Sequence, residues 1–155
     1  MEDEKRMEQA VEIAQNSAVT GGGPFGAIVV KDGNIIGTGS NQVTTMNDPT
    51  AHAEVQAIRE ACRTLDSFQL TDCDMYTSCE PCPMCIGAIF WARPKAVYYA
   101  ASKTEAAEAG FDDQFIYDQI ALPVEERDIK MKQIRPEQYD MPFQMWKDMN
   151  DKTTY

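Results

Sequence analysis

The sequence predicts an α/β protein, a three-layer α/β/α sandwich around a mixed sheet. Three observations carry that expectation. Strand-like and helix-like runs alternate along the 155 residues. The first two strand-like runs are joined by Asp32-Gly33, a hairpin signal that makes them antiparallel. The later strand-like runs are separated by helical stretches, the pattern of βαβ crossovers between parallel strands. No internal repeat, low-complexity tract or linker interrupts the chain, so residues 1–155 are expected to form one domain.

The elements follow in order. Residues 3–18 read as an amphipathic helix with Met7, Ala10, Val11, Ala14 and Ala18 on one stripe. Thr20-Gly21-Gly22-Gly23-Pro24 breaks it. No Gly-Lys-Ser/Thr element follows, which excludes a phosphate loop. Residues 25–30 and 34–40 are the two strands of the hairpin, with Asn41 at the end of the second. Asp48 and Pro49 suit the cap and first turn of a helix whose stripe is Val55, Ile58, Cys62 and Leu65. Residues 74–78 form a short strand, and Pro81 and Pro83 open a helix running through Phe90. A strand at 95–101 and a short helix at 104–109, ended by Gly110, come next. Asp112 and Asp113 read by pattern as a surface helix cap. A last strand is expected at 129–134 and a last helix at 136–149. By pattern alone Asn41 is a turn residue and Tyr155 a frayed end.

Composition narrows the function. The formal net charge is −11, with no cluster of Lys and Arg. Such a chain is a poor long-range match for phosphate backbones, so a small free substrate is favoured over a nucleic acid. A hydrophobic fraction of 43% is that of an ordinary globular protein, and no apolar run approaches a membrane span. The charged start Met1-Glu2-Asp3-Glu4-Lys5-Arg6 is not a signal segment, which gives a cytoplasmic expectation. Five cysteines without a secretion signal fit reduced thiols and metal binding better than a disulfide framework.

Two short stretches carry the chemistry: Thr50-Ala51-His52-Ala53-Glu54 and Cys79-Glu80-Pro81-Cys82-Pro83-Met84-Cys85. One imidazole and two thiolates, from His52, Cys82 and Cys85, make a ligand set suited to zinc. Three protein ligands leave one tetrahedral position open, as in catalytic sites. Glu54 is then free to act as acid and base. His52 is the only histidine in the chain, so the imidazole has no other source. Cys79 as a fourth ligand would close the site and leave Glu54 without a task. Glu80 reads as a brace for the turn. His52 and Glu54 pose a geometric problem, since residues two apart on a helix point to nearly opposite sides. Both reach one site only if it lies beyond the helix N-terminus, where free N–H groups such as that of Ala53 also point. His-x-Glu followed by Pro-Cys-x-x-Cys is the signature of zinc-dependent nucleobase deaminases.

Beyond that signature, the chain closely resembles the bacterial guanine deaminases of the cytidine-deaminase-like superfamily. The likeness runs through Gly-Gly-Pro-Phe-Gly-Ala at 22–27, Asn-Asp-Pro-Thr-Ala-His-Ala-Glu-Val at 47–55 and Thr-Ser-Cys-Glu-Pro-Cys-Pro-Met-Cys at 77–85. It continues in Gly-Ala-Ile-Phe-Trp-Ala-Arg-Pro-Lys-Ala at 87–96, Glu-Ala-Gly-Phe-Asp-Asp at 108–113 and the terminal Tyr155. The N-terminal helix and residues 122–150 match more loosely. The resemblance implies a five-stranded mixed sheet and one Zn²⁺ per subunit on His52, Cys82 and Cys85, with Glu54 as proton shuttle. It implies a purine lying against Phe25 and Trp91, with Asn41 and the Ala53 backbone on its polar edge. Asp113 would accept from purine N–H groups and assist proton transfer. It implies a homodimer that exchanges C-terminal segments, so that Tyr155 closes the partner's site. The reaction implied is hydrolytic deamination of guanine to xanthine and ammonia, in purine catabolism or salvage. The competing readings are a deaminase of a related nucleoside or base such as guanosine, a tRNA adenosine deaminase, and a non-catalytic zinc module. A pocket closed by Trp91 and Tyr155 leaves little room for ribose, which favours the free base.

Overall fold

The computed structural model describes residues 1–155, which form two compact units, Met1–Asp113 and Gln114–Tyr155. The first unit begins with α1 (Glu2–Val19), then β1 (Gly23–Lys31) and β2 (Asn34–Asn41). A single helical turn, α2 (Val43–Met46), precedes α3 (Ala53–Leu65) and β3 (Asp74–Cys79). Next come α4 (Pro83–Ala92), β4 (Ala96–Ala101) and α5 (Lys103–Glu108). The sheet order is β2-β1-β3-β4. β1 runs antiparallel to both β2 and β3, and β3 runs parallel to β4. The hairpin and the parallel crossover through α4 are as the sequence predicts. Asp32 and Gly33 both have positive φ, 49° and 76°, as a two-residue hairpin turn requires.

Helices cover both faces of the sheet. On one, Ala10 of α1 packs with Ile28, Val30 and Tyr76, and Met7 and Ile13 cover the edge. The inward stripe of α1 therefore runs through Ile13 and Ser17, and Ala18 is exposed. The phenol of buried Tyr76 donates to Asp3 Oδ1 at 2.7 Å, tying α1 to β3. On the other face, Ala27, Val29 and Met75 meet Ala53, Ala57 and Ala61 of α3 and Ile89 and Ala92 of α4.

α3 differs from its sequence prediction in two ways. It starts at Ala53 and not near Pro49. Asp48 instead closes a local turn, its Oδ1 accepting from the Thr50 amide at 2.9 Å and the Thr50 hydroxyl at 2.7 Å. A side chain that can cap a helix can equally fold the backbone into such a turn. The centre of its buried stripe is also alanine, with Ile58, Cys62 and Leu65 flanking it. The cause is β2. A Cβ on Gly39 would stand 2.0 Å from Ala53 O and 2.6 Å from Ala57 N. The helix backbone lies directly on the strand, so only small residues fit between them.

The second unit holds α6 (Gln114–Ala121), a 3-10 turn (Val124–Glu126) and α7 (Met141–Asp148). The sheet has four strands where five were expected, because 129–134 forms no strand. Its apolar alternation is strand-like, but Ile129 and Ile134 are 81% and 82% exposed and no ladder pairs the segment. A strand without a neighbour has nothing to satisfy its backbone groups. The last helix starts later than expected, with Pro142 in its first turn. Proline lacks the N–H an interior position needs, so the helix begins around it. No residue of this unit is buried. No helix of the protein is long and apolar enough to cross a membrane.

Candidate active site

The site is built where α3 and α4 begin. His52 is the N-cap of α3 and Cys82 the N-cap of α4, both with extended backbone. For Cys82 the following Pro83 enforces that geometry, since the residue before a proline is driven out of the helical region. His52 thus precedes the helix, and Glu54 is its second residue. The angular conflict raised by their spacing disappears, because only Glu54 is bound by helical geometry. Strand β2 delivers Asn41 to the same place: the next residue, Gln42, donates its amide to Ala51 O at 2.9 Å.

The ligand atoms of His52, Cys82 and Cys85 lie within 4.8 Å of one another. The Sγ atoms of Cys82 and Cys85 stand 3.5 and 3.4 Å from His52 Nδ1. Zinc–nitrogen and zinc–sulfur bonds of about 2.0 and 2.3 Å meeting tetrahedrally separate nitrogen from sulfur by about 3.5 Å. The three side chains are therefore already at the spacing that zinc demands. Cys79 lies outside this group. Its thiol points to Ser102 O at 3.8 Å, and burial pushes its pKa up to about 11. The cluster is thus a set of three without it.

Glu54 is 6% exposed. Its Oε1 accepts from the Thr77 hydroxyl at 3.1 Å, and its Oε2 lies 3.4 Å from Cys85 Sγ. Burial raises its pKa above the ordinary carboxylate value. The two cysteines divide their proton. A hydrogen bond from Cys85 lowers Cys82 to about 4, aided by His52, while that same bond and burial push Cys85 up. The bond to Cys82 in turn raises His52.

The remaining expected residues fall in different places. Asn41 is buried, and its Oδ1 accepts from the Val43 amide at 3.2 Å, starting α2. Ala53 is fully buried as the first residue of α3, with its N–H among those free of the helix ladder. Phe25 meets Phe111 edge to face, centroids 5.0 Å apart. That contact anchors the segment that carries Asp113. Burial, with the Cys82 charge, raises the Asp113 pKa above the ordinary carboxylate value. Glu80 braces the turn as expected, its Oε2 accepting from the Lys103 amide at 2.9 Å. Trp91 is 62% exposed near the end of α4. Six residues from Cys85, it points roughly 120° away around the helix. Tyr155 is an exposed residue of the second unit. Thr77 and Phe111 were not among the expected site residues. Strand alternation puts Thr77 on the same face as core Met75, but says nothing of what its hydroxyl bonds.

Residues 1–101 match the family model described as the cytidine and deoxycytidylate deaminase zinc-binding region. The guanine deaminase of Bacillus subtilis is 58% identical over 156 residues, all of both chains. Its X-ray structure superposes with a TM-score of 0.96 over 98% of each chain. The tRNA-specific adenosine deaminase of Haemophilus influenzae is 38% identical over 117 residues, 75% of this chain and 68% of that one. A guanine deaminase structure from Nitrosomonas europaea is 34% identical, with a TM-score of 0.67 over 70% of this chain and 63% of that one. With its signature residues gathered in one cluster and the family model matched across the sheet, this chain belongs to the cytidine and deoxycytidylate deaminase zinc-binding family.

Proposed function

We propose that this protein deaminates guanine hydrolytically, turning guanine and water into xanthine and ammonia, in purine catabolism or salvage. One observation carries the substrate. The likeness to a guanine deaminase covers all of both chains, including Gln114–Tyr155, whereas the tRNA adenosine deaminase match covers 75% of this chain. The net charge of −11 also disfavours a polynucleotide.

Zinc held by His52, Cys82 and Cys85 supplies Lewis acidity that makes water a nucleophile near neutral pH. The rest is the work of side chains. Glu54 takes a proton from the attacking water and passes it to the ring nitrogen beside the amino-bearing carbon. The water oxygen adds to that carbon. Glu54 then delivers the second proton to the amino group, which leaves as ammonia. Its burial supports this role, because raising a carboxyl's pKa makes its carboxylate a stronger base. Asn41 and the Ala53 N–H hold the polar edge of the base, Phe25 bounds its face, and Asp113 accepts from its N–H groups and assists proton transfer. Trp91, expected on the other face, is turned about 120° from Cys85 around α4 and is left out of this copy's pocket.

The active form in this reading is a cytoplasmic homodimer that exchanges C-terminal segments, with Tyr155 completing the partner's pocket. Support comes from the second unit, which buries nothing and exposes Ile129, Ile134, Phe143 and Trp146. Apolar surface of that extent is what a partner covers. The test is xanthine formation from guanine by the zinc-loaded protein, beside Glu54→Gln. The variant should keep its zinc and lose turnover by more than about 100-fold. A variant within tenfold of wild type would remove Glu54 from the proton path.

A further inference from the structure

The Thr77 hydroxyl is the feature of the site that the deaminase reading leaves unused. Thr77 is 1% exposed and sits on β3, a strand paired on both sides, in register with Ala27 of β1 and Tyr99 of β4. Its backbone is therefore fixed by two ladders. Its branched Cβ restricts χ1, so the hydroxyl has little freedom of its own. Its neighbours on that face, Ala27, Val29 and Met75, are apolar core. Valine would fill the same space without burying a polar atom. The hydroxyl has one use there: it donates to Glu54 Oε1 at 3.1 Å.

The consequence lies in the other oxygen. With Oε1 held by β3, the carboxyl cannot turn freely about its last torsion, a bond that is otherwise soft. Oε2 is then the oxygen directed at the metal ligands, 3.4 Å from Cys85 Sγ. Cys85 and Glu54 come from different helices, α4 and α3, while Thr77 comes from the sheet beneath both. The hydrogen bond references the proton-carrying group to the most rigid part of the fold.

We propose that Thr77 is the positioning residue for Glu54: it divides the carboxyl into an anchored oxygen and a working one. This rests on the proton-shuttle reading of Glu54. The idea accounts for a buried threonine in a strand face that is otherwise core, and it predicts that the hydroxyl matters more than the methyl group.

The test compares zinc-loaded Thr77→Val and Thr77→Ser with wild type. Thr77→Val conserves shape and deletes the donor. Its kcat on guanine should fall about 10- to 100-fold, the usual loss when a group orienting an active-site side chain is removed. KM and zinc content should stay within about threefold of wild type. Thr77→Ser restores the hydroxyl and should recover most of the lost kcat, although it packs less well. A structural role alone would lower the melting temperature of both variants and leave kcat in place, which overturns the proposal. Equal losses of kcat in both variants would show that any change of packing at this position disturbs the site, with no special part for the hydroxyl, and would overturn it too. A crystal structure of zinc-loaded Thr77→Val gives a readout that needs no turnover. The Glu54 carboxyl should be rotated or spread over more than one orientation, and an unchanged carboxyl plane would contradict the proposal. Should wild type fail to act on guanine, the substrate reading falls, and the crystal structure still decides the role of Thr77.

Discussion

His52 lies one residue ahead of α3, so its imidazole is free of the helix's angular spacing while Glu54 is not. That offset lets His-x-Glu bring an imidazole and a carboxyl to one site. The cluster was legible in the sequence because imidazole and thiol at these spacings are rare and mutually confirming. Thr77 was not legible as a partner, since a strand threonine looks the same whether its hydroxyl is idle or bound. Cys79 was set aside from the ligand set on chemical grounds, and its thiol turns toward Ser102 O. Because the chain has one histidine, no second imidazole can replace the first. His52→Ala should therefore lose its zinc, read as metal per chain after dialysis. Full occupancy in that variant would show that the ligand set is wrong.

Among the elements, the hairpin, the parallel crossover and the start of α4 followed from local chemistry. Boundaries did not always do so. Asp48-Pro49 has the makings of a helix start, yet the Asp48 carboxylate satisfies Thr50 and delays the helix by a few residues. The alanine centre of α3 was hidden for a related reason. Its explanation lies in the glycines of β2, more than ten residues upstream, and periodicity within the helix cannot report it. This close packing also fixes the site, because Ala53 O, the atom nearest Gly39, belongs to the residue between His52 and Glu54. Gly39→Ala should cost about 1–3 kcal/mol in urea unfolding of the zinc-loaded protein, since neither backbone can retreat from the added methyl. A change below about 0.5 kcal/mol would mean that α3 and β2 are not locked together there.

For the whole molecule, sequence pattern did not settle how the C-terminal segment folds. Residues 129–134 carry strand-like alternation and no ladder partner in the chain itself, so pattern alone predicted a fifth strand that is not formed. The role of Tyr155 was likewise implied by resemblance and not by any local signal. If the C-terminal segment completes a partner's pocket, deleting Thr153, Thr154 and Tyr155 should leave the melting temperature unchanged. Turnover of guanine should fall about tenfold or more, because a closing group acts by positioning and by excluding water. Sedimentation of the intact protein should show a dimer. An untouched rate in the truncated protein would make Tyr155 an idle tail.

Ammonia release by the intact zinc-loaded protein, offered guanine and guanosine side by side, tests the guanine deaminase reading most directly. Release from guanine with guanosine left untouched is the predicted result: the zinc cluster and Glu54 then act on a base in a pocket too small for ribose. Release from guanosine alone, or from neither, would contradict it.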